Sequence, residues 1–471
     1  MQTPIDAIIV GAGPNGLAAG IELVRARKRV RIYEASDRVG GGARSAELTL
    51  PGFVHDICSA IHPLTLGSPF FSTVDLGQHG LEFIEPPAAL AHPFDDGTAI
   101  LLKRSVDATS QQLDRDAERY RKLMQPLVNN WSKLSSEILR PLRIPRYPFA
   151  LASFGLRAIR SAEGFAKSYF QETRTRALFA GLAAHSAIAL DQLGTAAFGL
   201  VLGTLAHSVG WPFPRGGAQM ISDALSAHFT NLGGEIVTGT RINSVRELPA
   251  SKCVLFDVTP RQLLQILGEA APRRFKSKLQ KYRYGPGAFK MDWALDGPVP
   301  WTAAECKQAA TVHLGGPFEE LLASEKAAWE GRLNKRPFVL LAQPSLFDPT
   351  RAPAGKHTLW GYCHVPNGST DDMSEAIEDQ VERFAPGFRK LILARSVRSP
   401  AELEDYNSNL VGGDVNGGAQ ILSQMFTRPT ARTYSTPIEG IYICSSSTPP
   451  GGGVHGMCGY YAARRALRKS F

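Results

Sequence analysis

The tightest constraint in this sequence lies at its start. Residues 5–10 read Ile-Asp-Ala-Ile-Ile-Val, a short apolar run, and Gly11, Gly13 and Gly16 come directly after it. Leu17, Ala18, Ile21 and Leu23 then recur at helical spacing, and residues 29–34 form a second strand-like run ending in Glu34. A G-x-G-x-x-G string alone is a weak signal. Between a strand and a helix it marks a dinucleotide-binding βαβ unit. Gly11 permits the tight turn, Gly13 lets backbone approach a pyrophosphate, and Gly16 allows close helix–strand packing, with Pro14 and Asn15 in the same turn. The start of the helix offers free N–H groups and a positive dipole end to phosphate. Glu34, roughly twenty residues further on, is placed to accept hydrogen bonds from ribose hydroxyls.

The residues after Glu34 exceed the needs of a plain nucleotide fold. Arg38 precedes Gly40 and Gly41, and the run Ala35 to Arg44 includes Gly42 and Ala43. An arginine beside paired glycines suits a second pass of backbone along an extended dinucleotide, with the guanidinium near phosphate. A second glycine cluster closes the chain. After a strand-like run at 441–445 come Gly451, Gly452, Gly453, Gly456 and Gly459. So many glycines are entropically costly, and they make sense where a flat ring lies on the backbone. A helix starting near Val454 is predicted to aim its positive end at that ring, with Gly452, Gly453, Val454, His455 and Met457 around it.

These two motifs resemble those of the two-dinucleotide-binding-domain flavoproteins, which include amine oxidases and phytoene desaturases. The resemblance implies bound FAD rather than NAD. The core Pro450-Gly-Gly-Gly-Val-His455-Gly456 is similar to the carboxyl-terminal flavin motif of bacterial-type phytoene desaturases. It departs from amine oxidases, which usually carry an acid and differently spaced glycines there. His62-Pro63, the stretch His207–Gly217, Asp292–Leu295, Gly297–Trp301, Thr311–Gly315, Phe384–Phe388 and Gly412–Val415 extend the likeness along nearly the whole chain. They resemble the phytoene-desaturase-like branch that contains pyridine nucleotide-disulfide oxidoreductase domain-containing protein 2.

The resemblance implies an α/β fold. A discontinuous Rossmann-type FAD-binding domain would take residues 1–75, 212–275 and 405–471. A mixed sheet-plus-helices substrate domain with a helical lid would take 76–211 and 276–404. A middle strand, Glu235–Val245, would return to the FAD domain with Arg241 and Ile242 near the adenine side. The turn Pro214-Arg215-Gly216-Gly217 would bring backbone close to flavin or substrate.

Bulk properties narrow the alternatives. A chain of 471 residues with 44% hydrophobic and 20% charged residues is ordinary for about two globular domains. The net charge of +9 lies in no basic block interleaved with aromatics, and no zinc-finger or RNA-module pattern occurs, so nucleic acid is excluded as a partner. A generally basic solvated surface is the expectation, with loose attachment to an anionic membrane as the alternative. The six cysteines, at 58, 253, 306, 363, 444 and 458, form no C-x-x-C pair. No metal site and no redox disulfide are expected, and reduced thiols suit a reducing compartment. The chain starts almost directly in a strand and has no apolar run of about 18 residues, so a cytoplasmic or peripheral protein is expected. Oligomeric state is left open.

The implied chemistry is hydride transfer between a carbon and flavin N5, with the protein supplying orientation and electrostatics. A proton acceptor or donor would assist, and His62, His185 and His207 are the candidates. His455 is expected to position its loop. Trp211 and Trp301 are candidates to flank the ring. Glu82, Glu85, Asp95 and Asp96 read as solvated charges, and no G-x-S-x-G elbow or H-E-x-x-H string occurs. The basic, aromatic stretch 140–176 is read as a helical lid with a wet face, the alternative being a segment that lies on a membrane.

Three functions compete. The first is oxidoreduction of carbon–carbon bonds in an apolar isoprenoid or lipid-like molecule, in either direction. The second is oxidation of an amine or small polar molecule. The third is an interaction protein that retains FAD without turnover.

Overall fold

The apolar run at the amino terminus becomes the central strand of a parallel sheet. A computed structural model describes residues 4–471, the side chain of Phe426 aside. Five strands lie in the order Ile441–Ile443, Cys253–Phe256, Ala7–Val10, Val30–Tyr33 and Glu235–Val237, every neighbouring pair parallel. Ala7–Val10 is buried along its whole length, as expected for a strand covered on both faces. One face is covered by the helices Pro14–Arg25, Gln219–Asn231 and Met457–Lys469, the other by Pro260–Leu267 and Arg273–Gln280.

The second sheet has seven strands in the order Ile392–Arg398, Gly287–Leu295, His357–Val365, Val339–Ala342, Ala309–Leu314, Ala88–Pro93 and Ala99–Lys103. It is antiparallel except where Ala309–Leu314 meets Ala88–Pro93. Helices between Ala117 and Ser208 pack with it into the largest apolar core. The fold is thus α/β, a Rossmann-like nucleotide unit beside a mixed sheet with helices. Among the described residues, no helix is long and apolar enough to cross a membrane.

Three local expectations need correction. The middle strand stops at Val237 rather than Val245, because Gly239 turns the chain with φ +64° and sends Arg241 and Ile242 out of the sheet. The carboxyl-terminal helix starts at Met457 rather than near Val454, since Gly456 sits in the left-handed region at φ +67° and delays it. The Pro214–Gly217 turn stands outside the lining of the large cavity. A Cβ on Gly217 would collide with Ser45 and Asp56, Gly216 N–H donates to Asp348 Oδ2 at 2.7 Å, and Arg215 pairs with Glu82 at 2.7 Å.

That turn belongs to a polar seam between the two units. Asp56, in the hairpin Ser45–Glu47/Val54–Asp56, accepts Arg351 Nη2 at 2.7 Å, the Ser45 hydroxyl at 2.7 Å and Ala218 N–H at 2.7 Å. Asp56 and Arg351 are each 1% exposed. Burial works against the Asp56 charge, yet Arg351 and the two other donors hold its carboxyl below the usual aspartate range. Removing one partner of such a pair strands the other charge out of water. Arg351→Ala is therefore expected to cost about 3–5 kcal/mol of stability, read as a lower denaturant midpoint. Asp56→Asn with Arg351→Met should recover part of that loss.

Candidate active site

A cavity of about 650 Å³ runs along the carboxyl ends of the parallel strands and on beneath the second sheet. Val10, Tyr33, Asp257 and Ser445, at or just past the ends of four strands, line its first part. This is where open α/β sheets bind ligands.

The nucleotide end is built from backbone. Gly11 has φ +105°, a conformation that side-chain-bearing residues avoid. A Cβ on Gly16 would fall into the Gly11 carbonyl, so only glycine lets this helix start so close to the strand. Glu34 lines the cavity and is braced from within. Its Oε2 accepts Ala12 N–H at 2.8 Å, and its Oε1 accepts Ser36 N–H at 2.9 Å and Arg44 Nη2 at 3.2 Å. Gly11, Gly13, Pro14, Asn15, Ala35, Gly41, Gly42, Ala43, Arg44, Arg241 and Ile242 all reach this cavity, as do Gly452, Gly453 and Val454 from the far end of the chain.

Other predicted residues stand outside it. Arg38 is exposed, and its carbonyl accepts Arg44 Nη2 at 2.6 Å, so Arg44 rather than Arg38 brings the guanidinium to the site. Gly16 and Met457 are buried behind the lining as packing residues. His455 is buried too. Its Nδ1 accepts Met457 N–H at 3.1 Å, which leaves the proton on Nε2 facing the Gly451 carbonyl at 3.2 Å. That bonding fixes the glycine loop and occupies the helix's first N–H donor.

The histidines divide the same way. His62 and His185 line the cavity, and His207 does not. His207 Nδ1 donates to the Arg104 carbonyl at 3.1 Å and Nε2 accepts from Tyr120 at 2.7 Å, so both nitrogens are committed to the helical core. Both His62 nitrogens are buried without a partner, and burial pushes its pKa down to about 4. His185 Nε2 lies 3.3 Å from His313 Nε2, and burial lowers the His185 pKa to about 3. Both imidazoles are neutral at physiological pH. Trp211 lines the chamber with its Nε1 donating to Thr311 at 3.0 Å, whereas Trp301 is bonded to Gln343 inside the core of the second sheet.

Sequence reading missed two charged groups. Asp257, one residue beyond Cys253–Phe256, lines the cavity and accepts Gly16 N–H at 2.9 Å. Burial, helped by the charge of Glu34 and opposed by that N–H, pushes its pKa up to about 7. Lys290 lines the cavity opposite and pairs with the Asp292 carboxylate, while Asp292 Oδ1 lies 3.6 Å from His55 Nδ1. Burial lowers Lys290 and raises Asp292 to about 6, with the mutual attraction opposing both shifts. Two charges two residues apart inside an apolar strand share one face, and that spacing was the available signal.

The residues fit a dinucleotide with a ring at one end. A Cβ on Gly13 would lie 2.8 Å from Asp257 Oδ2 and one on Gly452 2.9 Å from Asn416 Oδ1, so backbone lies bare at both ends of the site. Asn15 Oδ1 is buried without a partner between them, and Arg44 supplies positive charge. Together with the fold, this describes a Rossmann-like dinucleotide-binding oxidoreductase.

Comparison with known proteins agrees. Residues 9–72 match the NAD(P)-binding Rossmann-like domain. Homologues include pyridine nucleotide-disulfide oxidoreductase domain-containing protein 2 of Mus musculus, 27% identical over 99% of this chain and 94% of that protein. Another is the neurosporene-forming phytoene desaturase of Rhodobacter capsulatus, 26% identical over 96% of this chain and 92% of that one. In fold, an oxidoreductase from Methanosarcina mazei superposes with a TM-score of 0.67 at 16% identity, covering 99% of this chain and all of the other.

Asp257 makes a pH signature. Its folded pKa lies above the unfolded value, so its contribution to stability is present below about pH 4 and is lost as pH rises to about 7. Asp257→Asn does not titrate. Its unfolding midpoint should therefore gain on the wild type by a few degrees between pH 4 and 7 and hold that lead above. Parallel curves for the two proteins would show that Asp257 does not titrate in this range.

Proposed function

We propose that this chain binds FAD and oxidises, or in reverse saturates, carbon–carbon bonds of an apolar isoprenoid or lipid-like molecule. The carrying observation is one continuous cavity. It starts on the glycine turn, passes Gly41–Arg44 and Gly452–Val454, and ends among Phe198, Leu202, Trp211, Leu340, Trp360 and Tyr362. The first part fits a dinucleotide with an extended second pass. The last part offers rings and branched chains in a water-poor chamber, suited to holding a hydrocarbon.

Bound FAD would supply the hydride acceptor or donor. The chain's own residues hold and orient the two partners. Glu34 is set to receive ribose hydroxyls, Arg44 to offset phosphate charge, and the bare backbone at Gly41, Gly42 and Gly452 to lie against the cofactor. At the substrate end, His62 and His185 are neutral imidazoles at neutral pH, each keeping one ring N–H and one lone pair.

Oxidation of an amine is the second reading. The Trp360–Tyr362 pair on the cavity wall, ring centroids 5.3 Å apart, favours it as a compact aromatic site. Against it, Lys290 Nζ sits 5.7 Å from the Trp360 ring centre and puts positive charge where a cationic amine would dock.

Acid extraction of the purified protein should release FAD, identified by mass, and not FMN or a nicotinamide. Under anaerobic conditions, isoprenoid or fatty hydrocarbons should bleach the flavin absorbance and polyamines should not. The converse pattern would overturn the apolar reading. His185→Ala should slow that bleaching about 100-fold with flavin content unchanged.

A further inference from the structure

A row of side chains crosses one face of the second sheet at the chamber. Lys290 stands opposite Tyr362, Tyr362 opposite Leu340, and Leu340 opposite His313. Residues paired in this way on neighbouring strands share a face. Lys290, Tyr362 and Leu340 line the cavity. His313 is fully buried beneath the helix Thr173–Ala183, where a Cβ on Gly181 would lie 2.7 Å from its Nδ1. His185, in the turn Ala184–Ser186 that follows this helix, packs on His313 and lines the cavity. The two Nε2 atoms lie 3.3 Å apart and share one hydrogen bond.

Burial decides which ring donates in that bond. It holds both imidazoles neutral, so each has one N–H and one lone pair. His313 Nδ1 is buried without a partner. A proton there would be an orphaned N–H, which folded proteins rarely bury, whereas a bare acceptor is better tolerated. The His313 proton is therefore on Nε2 and is donated to His185 Nε2. His92, on the strand beside His313, follows the same rule. Its Nε2 faces the Gly316 carbonyl at 2.8 Å, which can only accept, and its Nδ1 is left buried and bare.

With Nε2 accepting, the His185 proton sits on Nδ1, and His185 is the member of the pair that reaches the cavity. Tyr362 supplies a second donor. Its hydroxyl bonds to no described residue, and burial pushes its pKa up, so it keeps its proton. A pure hydrocarbon in the chamber would leave both donors unpaired and out of water, which is costly. A site built around donors rejects a molecule that lacks the acceptor.

We propose that the substrate is an apolar chain bearing an oxygen acceptor, a hydroxyl or a carbonyl, held by His185 Nδ1–H with the Tyr362 hydroxyl as second donor. His313 is a positioning residue, because it fixes the tautomer that makes His185 a donor toward the chamber. The inference rests on the apolar reading of the chamber and adds the group that orients the chain within it.

The tautomer can be read by nitrogen NMR of the flavoprotein grown with isotope-labelled histidine. The His185 signals, identified by their loss in His185→Gln, should place its proton on Nδ1. His313→Leu should abolish that preference, and His313→Gln, whose amide can donate to the same nitrogen, should restore it. Binding is then measured by quenching of flavin fluorescence with farnesene, farnesol and farnesal, a hydrocarbon, an alcohol and an aldehyde of one skeleton. Farnesol or farnesal should bind about tenfold tighter than farnesene, and the tighter of the two separates hydroxyl from carbonyl. Tyr362→Phe and His313→Leu should each lower that ratio, and His313→Gln should keep it. A His185 proton on Nε2 would overturn the proposal. Equal binding of all three chains would overturn it too, while leaving the apolar reading in place. Bleaching by polyamines with no binding of any of the three would overturn both.

Discussion

The backbone of Asn15 lies directly against Gly459. A Cβ at position 459 would fall inside the Asn15 carbonyl, so the helices Pro14–Arg25 and Met457–Lys469 meet at their starts with no side chain between them. That contact joins the two ends of a 471-residue chain, and the cavity depends on it. The loop Gly452–Val454 reaches the cavity only because the helix behind it is seated on the first helix. His455 completes the arrangement from inside, holding Gly451 with one ring nitrogen and Met457 with the other. The glycines at 16 and 459 therefore serve packing, and those at 13, 41, 42 and 452 leave room for a ligand.

A second theme is charge kept away from water. Glu34 with Arg44, Asp56 with Arg351, and Lys290 with Asp292 are all buried pairs along the seam or the cavity wall. Replacing such pairs with hydrocarbon often costs nothing in stability, so their value here is positional. Asp56 and Arg351 tie the glycine-rich unit to the second sheet. Lys290 lines the cavity from a strand that is otherwise apolar, and Asp292 on the same strand face pairs with it. The imidazoles in the same walls are held neutral by burial.

Similarity to pyridine nucleotide-disulfide oxidoreductase domain-containing protein 2 and to phytoene desaturases runs along nearly the whole chain. The glycine turn, Glu34, Arg44 and the carboxyl-terminal loop are one contiguous surface for a dinucleotide. The chamber beyond them is assembled from separate stretches, around His62, His185, Phe198–Trp211, Lys290, Thr311–Leu340 and Trp360–Tyr362. The proposal of an apolar molecule rests on that assembly, together with the placement of Lys290.

The sequence alone determined that this chain has a Rossmann-like unit, and that both its ends carry glycine-rich turns with bare backbone. Backbone recognition of phosphate and a flat ring needs glycine at fixed local spacing, and local spacing is legible in one dimension. The tertiary structure decided the rest. Arg44 took the place read for Arg38 because the turn after Glu34 throws one side chain outward and draws the other in. His207 fell away because Tyr120 and the Arg104 carbonyl claim both its nitrogens. Asp257 and Lys290 became wall residues because the strands carrying them end at, or face, the same cavity. Which face a strand presents, and what lies opposite it, is set by sheet order and packing between distant segments, and no local pattern carries that information.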